Sequence, residues 1–143
     1  MKTNMLTWEE VFTVQVKINN TAELQSNDGD TVVMISFTGQ VTGELFQGEV
    51  LDGGVDTQII RKSGSHSLSA RYMLHGKDYT GETCQIYIEN NGNFHKNEKE
   101  ALFRTYPKLI TNSKALSYFN DELFVAEGFP TEIGVDIKIY RWV

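Results

Sequence analysis

The chain has one cysteine, Cys84, so no intrachain disulfide can form. Positive charge is scarce. Thirteen Lys and Arg stand against 19 Asp and Glu, a formal charge of −6. Gripping a nucleic-acid backbone by counterion release needs a basic face, so a nucleic-acid partner is not expected. No apolar run approaches the roughly 20 residues of a membrane helix, and no membrane partner is expected. The start, MKTNMLTWEEVF, lacks the apolar stretch of a signal peptide, and a cytoplasmic location is the expectation. Within CQIYI, Cys84 reads as a small buried hydrophobe rather than a nucleophile.

Catalytic signatures are missing as well. Lys62-Ser63-Gly64-Ser65-His66-Ser67 has serines and a histidine but no G-x-S-x-G elbow, and reads as a hairpin turn. Gly39-x-x-x-Gly43 is not followed by Lys-Ser/Thr and a helix, so it does not cradle phosphate. His66, His75 and His95 are not spaced as ligands on one element, and Asn27-Asp28-Gly29-Asp30 is too short for a calcium loop. Neither a metal nor a cofactor is expected.

Alternation dominates what is there. Phe12, Val14, Val16 and Ile18 take every second position, as do Ile133, Val135, Ile137 and Ile139. Only a strand puts every second side chain on one face. Val32 to Phe37 is almost wholly apolar and reads as a strand covered on both sides. Leu68, Ala70, Tyr72 and Leu74 share a face, and Ile86 and Ile88 mark the next strand. Further strands are expected over Gly39 to Leu51, Val55 to Lys62, Glu100 to Ile110 and Leu123 to Gly128. Asn27-Asp28-Gly29-Asp30, Asp52-Gly53-Gly54, Ser63-Gly64-Ser65 and Asn90-Asn91-Gly92-Asn93 supply turn chemistry between them. One short helix is expected near residues 113–119, capped by Thr111, Asn112 or Ser113.

The reading is a single all-β domain over residues 1–143, with about nine antiparallel strands. Gly39, Gly43, Gly48, Gly53 and Gly54 crowd one stretch. Glycine within strands suits sharp corners and close backbone approach, which favours a closed or nearly closed barrel. Trp8, Phe37, Phe46, Tyr72, Tyr87, Phe103 and Tyr106 fall on strand positions, where core packing accounts for most. A barrel of this size can also enclose one small ligand. Polar residues inside strands are the candidate site: Asp56, Arg71, Asn90 and Arg104. An inward charge must be paired, and Asp56 with Arg71 or Arg104 makes a natural set. Alternation alone favours the outer face for each arginine.

GELFQGEVLDGGVDTQII, LSARYMLH, QIYIENNG, LFRTYPKL and LFVAEGFPTEIGVDIKIY resemble, in that order, the segments of the domain-of-unknown-function 3237 family. The resemblance runs roughly from Val11 to Tyr140. It implies a small antiparallel β-barrel of lipocalin-like shape with no general activity. The positions matching the family's recurrent polar residues are Asp56, Arg71, Tyr72, Asn90 and Arg104. In the family the glycine pair is followed by alanine, aspartate and often tryptophan. Val55, Asp56 and Thr57 stand there in this chain, so the tryptophan is absent.

Three functions are weighed. The first is a binding module holding a small, partly apolar, anionic metabolite. Arg71 or Arg104 would meet its charge, Asp56 would steady the arginine, Asn90 would line the site, and Tyr72 or Tyr87 would cover the guest. The second is a cofactor-independent isomerase, cyclase or lyase, with Asp56 as base and an arginine or Tyr87 stabilising an oxyanion. The third is a structural module that forms a homodimer or larger homo-oligomer through its apolar strand faces.

Overall fold

The computed structural model describes residues 7–94 and 101–142. Ten strands form one antiparallel sheet. They are β1 (Trp8–Gln25), β2 (Thr31–Thr42), β3 (Phe46–Val50), β4 (Val55–Ile60) and β5 (His66–Asp78). The chain continues through β6 (Thr83–Phe94), β7 (Phe103–Thr105), β8 (Lys108–Thr111), β9 (Phe124–Pro130) and β10 (Gly134–Trp142). Among the described residues no helix is long and apolar enough to cross a membrane.

Closure follows from the pairings. β1 pairs with β2, β2 with β4, β4 with β5, and β5 with β6. β6 then pairs with β7, β7 with β9, β9 with β10, and β10 returns to β1. This circuit closes the upper end of a barrel. Toward the lower end β3 replaces β4 between β2 and β5, and β8 replaces β7 beside β6. Long strands such as β5 and β6 thus serve both ends. β1 shifts register between Glu10 and Phe12 and again between Ile18 and Asn20. Such bulges bend a strand, as a closing wall requires.

Glycines sit where strands crowd. Gly48 of β3 lies opposite Gly76 of β5. A β-carbon at Gly76 would overlap the Gln47 carbonyl oxygen, and one at Gly48 that of His75. Both positions accept only the missing side chain. Gly29, Gly53 and Gly64 have positive φ in three of the expected turns.

Four expectations change. Among the described residues the strand count is ten, because two strands, β7 and β8, stand where one was expected; Glu100 lies outside the described residues. Pro107, with no N–H to give a ladder, separates β7 from β8. The expected helix is a single 3-10 turn, Ser117–Asn120, and Ser113 Oγ accepts a hydrogen bond from the Leu116 N–H just before it. Asn90 to Asn93 is not a turn. β6 runs through it to Phe94, pairing Gly92 with Thr105. Val32 to Phe37 is not covered on both sides: Phe37 is buried, whereas Met34 is 50% exposed on the outer face.

The lower half of the barrel is filled by aromatic and aliphatic side chains. Phe12 lies 5.9 Å from Phe46 and 6.4 Å from Phe119, ring to ring, and Phe119 lies 5.5 Å from Phe124. Leu74, Ile86, Leu109 and Leu116 fill the remaining space, all buried. Phe119, carried by the 3-10 turn, stops this end. Cys84 is buried in the same core.

Candidate functional site

The upper half is built differently. Cross-strand partners share a face, so Ile35, Asp56, Ala70 and Asn90 form one inward row across β2, β4, β5 and β6. A cavity of about 70 Å³ opens against this row, with Phe37, Leu68, Phe103 and Ile137 among its walls. Asp56 and Asn90 are its polar features, joined by Gln58 from β4. Ile18 and Leu102, partly exposed, lie at its rim. A wider hollow of about 580 Å³ lies across β1, β2 and β3, but it is open and lined by Gln15, Lys17, Gln40 and Glu49 on the outside.

Several polar atoms in the interior have no protein partner. They are Asp56 Oδ1, both side-chain heteroatoms of Asn90, the Tyr72 hydroxyl and Thr105 Oγ1. Tyr72 lies two residues beyond Ala70 on the same inward face, its ring edge-on to Phe37 at 5.1 Å. Burial, and secondarily the Asp56 charge, pushes its hydroxyl well above the usual tyrosine range. Burial also raises the Asp56 carboxyl above the usual aspartate range, against the opposing effect of a hydrogen bond from Gln58.

Gln58 Nε2 donates to Asp56 Oδ2 at 2.7 Å. Its carbonyl Oε1 lies 2.8 Å from His66 Nε2. The His66 ring stacks on Phe94, with centroids 3.8 Å apart and planes 9° from parallel. Burial holds the His66 pKa below the usual histidine value. Gln58 and His66 did not stand out in the sequence. His66 is in phase with Leu68, a parity signal; Gln58 left none, because only the pairing with β5 shows which way β4 faces.

Of the six candidate residues, the structure brings Asp56, Tyr72 and Asn90 together in the interior. Arg71, Tyr87 and Arg104 lie on the outer wall. The physical reason is again parity: Ala70 and Tyr72 point in around Arg71, Ile86 and Ile88 around Tyr87, and Phe103 and Thr105 around Arg104. Arg71 Nε meets Glu89 Oε1 at 3.5 Å, and the Tyr87 hydroxyl donates to Glu89 at 3.0 Å. Arg104 Nη2 meets Glu127 Oε2 at 3.1 Å. Asp56 is therefore held by the Gln58 amide, not by a guanidinium.

Among the described residues no three His, Cys, Asp or Glu side chains converge as metal ligands. His95 lies outside the described residues.

A model of a family described as protein of unknown function, DUF3237, matches residues 6–142. A UPF0311 protein of Clostridium acetobutylicum is 30% identical, over 95% of this chain and 94% of its own. A crystal structure of a protein of unknown function from the same species overlays with a TM-score of 0.80 at 28% identity, covering 99% of this chain and all of the other. A beta-barrel like protein from Acinetobacter baumannii AYE overlays with a TM-score of 0.78 at 18% identity, covering 99% of each chain, which is a likeness of fold alone.

Proposed function

Because the chain belongs to the DUF3237 family, whose description carries no activity, we propose a function from its own interior: the upper cavity binds a small, neutral, partly apolar molecule bearing hydrogen-bonding groups. One observation carries this reading. Asp56 Oδ1, the Asn90 amide and the Tyr72 hydroxyl are buried without protein partners. An unmet buried polar group costs about 1–3 kcal/mol, so such a cluster is costly unless something else meets it. Bound water or a guest supplies that partner. The apolar walls favour a guest with both characters.

The guest is neutral rather than anionic. No arginine or lysine among the described residues lines the cavity, and a carboxyl does. An anion would lose its hydration there with no cationic side chain among the described lining residues to meet it. The cavity's size suits a small ring or a short chain, not a drug-sized molecule of several hundred Å³.

Ligand-observed NMR against a panel of small ketones, lactones and alcohols, with matched carboxylates, tests the reading. Neutral compounds are expected to bind, carboxylates not, and the signals to vanish in Asn90→Leu and Asp56→Leu. Binding that persists in both variants, or no neutral binder at all, refutes it.

A second reading is supported by the raised carboxyl facing an enclosed space: cofactor-independent acid–base chemistry with Asp56 as the proton-transfer group. Asn90, which lines the same cavity, would donate to a developing oxyanion. Its test is deuterium uptake from D₂O at the carbon next to the carbonyl of a bound ketone. Uptake abolished by Asp56→Asn supports this reading. Uptake no faster than in buffer removes it.

A further inference from the structure

We propose that His66 and Gln58 are positioning residues for Asp56: through the Gln58 amide, the histidine fixes Oδ2 as an acceptor and leaves Oδ1 as the oxygen that carries the acid proton toward a guest's carbonyl or ether oxygen. The inference deepens the binding reading and rests on it for the identity of the guest. The positioning itself stands on geometry alone.

An amide N–H can only donate, and a carbonyl can only accept. Gln58 Nε2 faces Asp56 Oδ2 at 2.7 Å, so Oδ2 accepts. Gln58 Oε1 faces His66 Nε2 at 2.8 Å, so that nitrogen carries the hydrogen. Turning the amide over would set its carbonyl against Asp56 and its N–H₂ against the histidine. That arrangement requires the other tautomer, Nδ1–H, so the histidine's tautomer distinguishes the two. Stacking on Phe94 at 3.8 Å keeps the imidazole in the plane that makes the contact. The chain of three side chains thus runs from the Phe94 wall to the carboxyl, and each link sets the polarity of the next.

With Oδ2 engaged as an acceptor, the proton of the neutral acid resides on Oδ1. That atom is buried and has no protein partner. Burial favours the neutral acid. The acid then donates from Oδ1 to an acceptor on the guest, beside the Asn90 amide, which offers both a donor and an acceptor. The other elements around the cavity, β1, β2, β6, β7 and β10, contribute apolar or amide side chains. Among the described residues the other titratable groups near Asp56 are on β5: His66, reached through Gln58 and held by burial below the usual histidine value, and Tyr72, whose hydroxyl is pushed well above the usual tyrosine range.

Two measurements on the ligand-free full chain test the positioning. The first is the His66 tautomer, read from ¹⁵N shifts of the imidazole in the wild-type protein. Nε2–H is expected, and Nδ1–H overturns the proposal. The second is the Asp56 titration, followed by its carboxyl ¹³C shift. Gln58→Leu removes the donor to Oδ2 and is expected to move the titration upward. His66→Phe keeps a ring against Phe94 but has no N–H, and is expected to move it upward by a smaller step. In a Gln58→Leu background the same histidine change is expected to do nothing. An Asp56 titration unmoved by His66→Phe, or moved equally in both backgrounds, overturns the proposal.

Cyclopentanone is the probe for the guest's acceptor. Its affinity is expected to fall as pH rises through the Asp56 titration, and the fall to move upward in His66→Phe along with it. An affinity flat across that range overturns the donor role of Oδ1. A failure of cyclopentanone to bind at any pH counts against the binding reading, while the tautomer and titration decide the positioning separately.

Discussion

Ser113 donates its hydroxyl hydrogen to Asp78 Oδ2 at 2.7 Å, joining residues 35 positions apart in the chain. Asp78 ends β5, and its other oxygen accepts from Thr80 and from the Glu82 N–H. Ser113 in turn accepts from the Leu116 N–H at 3.1 Å. One buried carboxylate therefore organises the β5–β6 turn and anchors the segment that brings Leu116 and Phe119 into the lower core.

Ser113→Ala is expected to lower the midpoint of thermal unfolding by a few degrees, since it leaves a carboxylate oxygen without its donor. Hydrogen bonds from Thr80 and Ser113 hold the Asp78 carboxyl below the usual aspartate range. A depressed folded-state pKa contributes stability above the ordinary aspartate pKa, which is lost as pH falls through the depressed value. Asp78→Asn should therefore be less stable than wild type at pH 7, with the gap closing in acid. Thermal unfolding reads the first effect, and urea unfolding at a series of pH values reads the second.

Asp56 carries the opposite sign. Its folded-state pKa is raised, so its contribution is complete below the ordinary aspartate pKa and is lost as pH rises through the raised value. Asp56→Asn removes an ionisable group that is poorly solvated once charged. The variant is expected to be more stable than wild type at pH 7 and no more stable at pH 3. A loss of stability at neutral pH would contradict the burial of this carboxyl.

Phe119→Ala should cost about 3–5 kcal/mol of unfolding free energy, the usual range for emptying a fully buried aromatic site. Asp56 should titrate as before in this variant, because Phe119 belongs to the lower core and Asp56 to the upper cavity. Denaturant unfolding gives the first quantity and carboxyl NMR the second.

Gly76→Ala brings a methyl group into the Gln47 carbonyl oxygen. The strands must part to admit it, at a cost of about 1–3 kcal/mol or more. Amide hydrogen exchange should show lost protection along β3 and the second half of β5.

Arg71→Ala should change stability by less than about 1 kcal/mol, as exposed ion pairs do. Its side chain is 65% exposed and meets Glu89 at 3.5 Å. Binding of any guest in the cavity should be untouched, because the guanidinium lies on the other side of the wall.

Much of this architecture was legible in the chain. Period-two alternation gave the inward set on β1, β5 and β10, including Val14, Ala70 and Ile137. Clustered glycines pointed to corners and close approach, and Gly39 and Gly48 bear that out. Parity alone, carried from Ile86 and Ile88, puts Asn90 inside. Turn chemistry hid this, since Asn-Asn-Gly also suits a hairpin, while the Gly92 position is demanded by the backbone of Arg104 on the next strand. β4 was harder to orient. In Val55 to Ile60 polar and apolar side chains occupy both faces, and all six residues are only partly buried. Facing could be read only from the pairing with Ala70. The 3-10 turn was overcalled because seven residues are too few for helical periodicity to separate one turn from two.

The aromatic plug around Phe12, Phe46 and Phe119 has a consequence for traffic. Among the described residues the route to Asp56 runs past Ile18 and Leu102, at the end away from this plug. A guest of the proposed kind brings its polar group to Asp56 and Asn90 by entering polar end first. Homologous compounds lengthened at the trailing, apolar end should keep their grip, whereas branching beside the leading group should abolish it.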